Sequence, residues 1–169
     1  MAISHALEAS AAPGELERLR RILGPHATDV IELYSCHDGL ELYVQGSESG
    51  LMFHSASQWE LATSTFKEEI EEWGRSEGDV FEFERRGVVF GEPVASGNWL
   101  LLYRGAVYYS NHDGAEDTPL APTFSAFLDR IVEEPAKLLH DLGCYARYSD
   151  GTTDIQWIPE RYVSRERPA

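Results

Sequence analysis

The fold is decided by residues 87–131, GVVFGEPVASGNWLLLYRGAVYYSNHDGAEDTPLAPTFSAFLDRI. A short apolar run, Val88-Val89-Phe90, is followed by Asn98 to Tyr103 and Ala106 to Tyr109, separated only by Arg104-Gly105. A two-residue link between apolar runs predicts a hairpin, with Tyr103 opposite Ala106 and Leu101 opposite Tyr108. Arg is a poor choice for such a turn, because the primed types need φ > 0 there. Trp99, Leu101, Tyr103, Ala106 and Tyr108 then share one face, and Leu100, Leu102, Val107 and Tyr109 the other. Both faces are apolar. That pattern suits a strand pair in the middle of a sheet, or one that keeps a face partly open for binding. After an acidic turn, Thr123 caps a helix carrying Phe124, Phe127, Leu128 and Ile131.

Upstream, Leu16, Leu19, Ile22 and Leu23 form a helical stripe over Glu15–Leu23, between Pro13-Gly14 and Gly24-Pro25. A second helix is expected over Thr28–Cys36, then a turn at Asp38-Gly39 and strands over Leu40–Val44 and Leu51–Phe53. A long helix follows from Ser57. Trp59, Ala62, Phe66, Ile70 and Trp73 lie on its buried stripe, and Ser57 with Glu60 reads as a capping box. Its other face carries Lys67, Glu68, Glu69, Glu71 and Glu72. Pro135 suits the first turn of a helix through Leu142. Tyr145 to Val163 reads as a further hairpin turning at Asp150-Gly151. Together these elements predict one α+β domain over residues 15–163, a mixed or antiparallel sheet flanked by helices, with flexible ends at 1–14 and 164–169.

With 169 residues the chain can bury a core without metals or disulfides. Its net charge of −15 argues against binding nucleic acid, which needs clustered Lys and Arg. No run reaches the ~18 apolar residues of a membrane span. The N-terminus lacks the basic and unbroken apolar regions of a secretory signal, so a cytoplasmic protein with reduced, partly buried Cys36 and Cys144 is expected.

No catalytic motif stands out. His37-Asp38-Gly39 and His112-Asp113-Gly114 invite a metal-dependent phosphohydrolase reading, which needs three or more converging ligands. Asp-Gly is common turn chemistry, and Asp150-Gly151 serves without a His, so both tripeptides read as turns. Cys36 and His37 are adjacent and do not form a preassembled nucleophilic pair. His5, His26, His54 and His140 stand alone, and no phosphate-binding glycine spacing occurs. No metal, cofactor or catalytic residue is expected.

The acidic cluster of Glu68, Glu69, Glu71, Glu72, Glu77, Asp79, Glu82 and Glu84 has a single base within it, Arg75. It reads either as a solvated face or as a docking surface for a basic protein. Asp113, Glu116 and Asp117 add a second acidic loop beside the aromatic face of Trp99, Tyr103 and Tyr108. Aromatic anchors ringed by charge are a common way to build a protein interface.

The order of these elements resembles the SUKH superfamily. The resemblance rests on Leu33-Tyr34-Ser35-Cys36-His37-Asp38-Gly39, on Leu51-Met52-Phe53 leading into the long helix, on Gly91 to Gly97 with the hairpin to Tyr109, on His112-Asp113, and on Thr123-Phe124-Ser125-Ala126-Phe127-Leu128. It spans roughly residues 15 to 135. Gly24-Pro25 stands where the family often has Leu-Pro. The resemblance implies an α+β domain with a non-catalytic, protein-binding role: an immunity protein that neutralises a toxin, commonly a nuclease, or a regulatory scaffold of the cell-wall-regulator type.

Overall fold

Four consecutive buried residues, Trp99-Leu100-Leu101-Leu102, set the architecture, because their side chains alternate between the faces of one strand and both faces must be covered. In the computed structural model, which describes residues 4–44, 50–74, 77–94, 96–112 and 116–142, that strand lies within a six-stranded antiparallel sheet. The strands are β1 (Ser4–Leu7), β2 (Leu40–Val44), β3 (Leu51–Phe53), β4 (Val88–Pro93), β5 (Trp99–Tyr103) and β6 (Ala106–Ser110), in sheet order β1-β2-β3-β4-β5-β6.

The helices are α1 (Pro13–Leu23), α2 (Thr28–Cys36), α3 (Trp59–Glu72), α4 (Glu82–Arg86), α5 (Phe124–Glu133) and α6 (Pro135–Asp141). Helices α1, α2, α5 and α6 pack on one face, where Leu19, Tyr34, Phe127 and Leu138 meet Phe53, Phe90, Leu100 and Leu102. Helices α3 and α4 cover the other. There Phe66, Ile70 and Phe83 meet Val89, Trp99 and Leu101. The hairpin is thus covered by helices within an α+β domain, but it forms one end of the sheet rather than its middle: β5 is an inner strand and β6 the edge strand, which meets only the single bridge Val107–Ala121 on its far side among the described residues. No helix among the described residues is long and apolar enough to cross a membrane.

The β5–β6 register is the expected one, Leu101 opposite Tyr108 and Tyr103 opposite Ala106. Its turn has φ of 51° at Arg104 and 85° at Gly105, the left-handed pair that a primed two-residue link requires. Strand β4 runs on to Pro93, past the expected Phe90. It contains a bulge, since Val89 pairs with Leu101 while Gly91 pairs with Leu100. Glycine is needed at 91, where a Cβ would sit 2.4 Å from the Met52 carbonyl oxygen.

Several local expectations differ from the structure. Ser4–Leu7 lies in the stretch expected to be flexible, yet it pairs antiparallel with β2, which satisfies backbone groups that a loose chain would leave to water. Helix α3 begins at Trp59, because Ala56–Gln58 forms a 3-10 turn. The Ser57 hydroxyl meets the Ser55 hydroxyl at 3.1 Å, and no side chain caps the helix. Residues 82–86, which include the last two carboxylates of the acidic cluster, form a helix not expected from the sequence, α4, around the buried Phe83. The Thr123 cap is as expected, its hydroxyl accepting from the Ala126 amide at 3.0 Å. Cys36 is exposed rather than partly buried. Cys144 and the hairpin expected over 145–163 lie outside the described residues.

The junction of α2, β3 and α3 is held by a buried hydrogen-bonded pair. The Tyr34 hydroxyl donates to the His54 carbonyl at 2.8 Å and accepts from the Trp59 indole at 3.2 Å. Burial, the largest cause, pushes the Tyr34 hydroxyl far above its ordinary pKa of 10. Replacing Tyr34 by Phe should lower unfolding stability by about 1 kcal/mol in urea titrations, the cost of one such bond.

Candidate protein-docking face on helix α3

Helix α3 divides its polar residues sharply. Ala62, Phe66 and Ile70 are buried against the sheet. Glu68, Glu71 and Glu72 are exposed, as is Lys67. Leu61 stands on the exposed surface as well, 70% exposed, an apolar group on the helix that carries these carboxylates. Beyond the helix, Glu77–Asp79 forms a 3-10 turn that leaves Asp79 exposed. The Glu77 side chain lies outside the described structure.

Glu69 does not belong with its neighbours. Its carboxylate accepts from the Trp99 indole N–H at 2.6 Å, across the interface between α3 and β5. A buried indole needs such an acceptor, so Glu69 is a structural group. Glu84 is wholly buried, accepting from the Ser110 hydroxyl at 2.6 Å and the Phe81 amide at 2.9 Å. Glu82 stands beside Arg86 and Arg104.

The aromatic face of the hairpin is not an open surface. Trp99 is 6% exposed under α3. Tyr108 is half-buried and stacks on Phe83 of α4, ring centres 4.4 Å apart. Tyr103 is half-buried and lies near Tyr108, with the Arg104 guanidinium over its ring. Of the three expected anchors, Trp99 is thus sealed under α3, Tyr108 is packed on α4, and Tyr103 is half-buried at the end of the hairpin. Sequence pattern could not show this, because the same alternation serves an open or a covered face. Glu116 and Asp117 are exposed in the segment after β6, and Asp113 lies outside the described residues. That segment starts beside the end of α3, where the Trp73 and His112 rings are 6.3 Å apart.

The first His-Asp pair is built into the scaffold, and so is the histidine of the second. The Asp38 carboxylate accepts from the Ala56 amide at 2.7 Å, while the His37 ring approaches the Glu8 carbonyl at 3.1 Å. Gly39 follows with φ of 108°, and a Cβ there would lie 2.9 Å from the Phe53 carbonyl oxygen. His112 is joined through its amide (2.9 Å) and ring (2.7 Å) to the Asn98 side-chain oxygen. Among the described residues no group of three or more His, Cys, Asp or Glu could hold a metal ion.

A second polar group under α3 was not visible in the sequence. Glu92 pairs in register with Met52 and is half-buried. Its carboxyl is raised above the ordinary 4.5 by burial, and further by the charge of Glu69. The His54 imidazole lies 6.1 Å from the Trp99 ring, and burial holds it below its ordinary 6.5. Its Nε2 is buried and meets no hydrogen-bond partner among the described residues.

Two outcomes follow from these contacts. Asp38→Ala should cost about 1–2 kcal/mol in denaturant unfolding, by leaving the Ala56 amide unsatisfied. A carboxyl with a raised folded-state pKa contributes most below its unfolded value and loses that contribution as pH rises through the folded value. Glu92→Gln should therefore raise the melting temperature at pH 7, with the gain vanishing near pH 4, as read by thermal unfolding at both pH values.

The family model described as SMI1 / KNR4 family (SUKH-1) matches residues 28–130. That span runs from the start of α2 into α5 and includes α3, α4 and strands β2 to β6. No curated protein gives a significant match. Since the matched span is more than half of the chain and carries most of the sheet with the helices on both faces, the chain belongs to the SMI1 / KNR4 (SUKH-1) family.

Proposed function

We propose that this protein is a non-catalytic binding module whose outward α3 face docks a basic protein. The observation that carries the reading is the separation of carboxylates on α3: Glu69 is engaged by Trp99, whereas Glu68, Glu71 and Glu72 face solvent on the helix that also exposes Leu61 near its start. An apolar group and a run of like charges on one exposed helix give a partner both an anchor and a steering field. A net charge of −15 adds to that field at long range. Asp79, Glu116 and Asp117 extend the acidic surface; Glu77 and Asp113 would join it by their positions in the chain.

Family membership supports a protein-binding role, and within it an immunity protein acting in the cytoplasm fits this surface best. Such a protein neutralises a cognate toxin by covering its active or substrate site. A nuclease suits the charge, because a surface that binds phosphate is basic. A regulatory scaffold is the second reading. It is favoured by Val132 on α5, 78% exposed on the layer across the sheet from α3, which gives the molecule a second apolar contact point.

The test is co-expression with a toxin encoded beside this protein, followed by affinity measurement. Glu68→Lys, Glu71→Lys and Glu72→Lys combined should slow association and weaken binding at least about tenfold, with the wild-type advantage shrinking as salt is raised. The fold should be retained, because none of the three is buried. Unchanged affinity would remove α3 as the docking face. Failure of the wild-type protein to protect the host would remove the immunity role for that pair.

A further inference from the structure

Two exposed arginines, Arg86 and Arg104, stand at the tip of the β5–β6 hairpin. There the end of α1 and the 3-10 turn Gly24–His26 approach the hairpin and enclose a groove of about 220 Å³. Ile22, Leu23 and Leu102 give it apolar walls, and His26, Arg86 and Arg104 supply its polar lining.

Arg104 occupies a strained position. Its φ of 51° is left-handed, a conformation that costs a non-glycine residue about 1–2 kcal/mol and that Asn or Gly adopts more readily. Strained residues of this kind cluster where a side chain is used. Its guanidinium lies over the Tyr103 ring, 4.9 Å from the centroid, which fixes its plane. The next residue must be glycine for a separate reason. A Cβ on Gly105 would come within 2.7 Å of His26 Nδ1, so the turn abuts the imidazole, and both residues line the groove.

The two guanidiniums converge. Arg86 Nη1 and Arg104 Nη2 approach the same oxygen, Glu82 Oε1, at 3.5 and 3.9 Å. Both distances exceed the ~2.7–2.9 Å of a charge-assisted hydrogen bond, so Glu82 holds the pair near each other without binding either tightly. Two cations and one carboxylate leave a local charge of +1, in a chain of net charge −15. One more carboxylate would balance it. The space equals roughly seven waters' share of liquid volume, taking about 30 Å³ for each, which is room for one short branched apolar group.

We infer that this groove binds a carboxylate carried on a small apolar group, with Arg86 and Arg104 taking the anion and Ile22, Leu23 and Leu102 the apolar part. The site is separate from the α3 face and does not depend on the function proposed for it. Two sources share this chemistry: a free branched carboxylic acid, and the C-terminal residue of a peptide.

Titration of the full chain by amide NMR distinguishes them, using 3-methylbutanoate, N-acetyl-Ala-Leu as its free acid, and the same dipeptide as its C-terminal amide. Saturable shifts at His26, Arg104 and Gly105 are expected with the free-acid probes and not with the amide. Saturation by 3-methylbutanoate at least as tight as by the dipeptide assigns a free acid, and tighter binding of the dipeptide assigns a peptide terminus. Arg104→Gly keeps the turn, since Gly accepts the same φ, and should weaken the bound probe about tenfold, the loss of one hydrogen bond to a charged group. No saturable shift with either acid, equal binding of the amide, or full affinity in Arg104→Gly would each overturn the assignment.

Discussion

A strand that is apolar on both faces has to be covered twice, and the second cover determines which charges this molecule leaves exposed. Leu100 and Leu102 are covered by α1, α2, α5 and α6; Trp99 and Leu101 need α3 and α4. Burying each such side chain contributes about 1.5–3 kcal/mol, but burying Trp99 also brings an N–H that must find an acceptor. Glu69 provides it. That bond fixes the rotation of α3 about its axis, and with Phe66 and Ile70 turned inward the remaining carboxylates of the helix can only face out. The acidic surface is thus a consequence of how the sheet is sealed.

The same economy explains the two His-Asp pairs. In the first, Asp38 ties the α2–β2 turn to the start of the 3-10 turn before α3, while His37 faces the chain near Glu8. In the second, His112 joins the end of β6 to Asn98 at the start of β5. His37, Asp38 and His112 each have a partner that ties two parts of the chain together. Under α3, Glu92 and His54 show the opposite trend, with burial pressing both toward their neutral forms. Their effects on stability have opposite pH signs. The raised Glu92 costs stability as pH rises, and the lowered His54 costs it as pH falls through the histidine range.

Elements fixed by local chemistry could be read from the sequence, and those fixed by distant partners could not. The two-residue Arg104-Gly105 link left one register for β5 and β6, and Thr123 marked the start of α5. Strand β1 escaped notice because Ser4–Leu7 is four residues long and is defined by pairing with β2, over thirty positions away. Helix α4 is five residues long, too short for a period to show. Counting charges along α3 grouped Glu69 with Glu68, since nothing nearby indicates that an indole thirty residues on will reach one and not the other. The hairpin's aromatic face was ambiguous for a related reason: alternation gives the side each residue faces, not what lies against that side. The unusual Arg in a primed turn was visible at once, and its meaning needed the position of His26 and Arg86.

The central claim is that α3 carries two kinds of carboxylate, Glu69 sealing the sheet and Glu68, Glu71 and Glu72 left to solvent. Denaturant unfolding of Glu69→Ala beside Glu71→Ala tests it most directly, since both place Ala in the same helix. Glu69→Ala should lose about 1 kcal/mol or more by stranding the Trp99 indole N–H, while Glu71→Ala should stay within about 0.5 kcal/mol of the parent, as surface changes do. Equal losses at the two positions, or no loss at Glu69, would contradict the account.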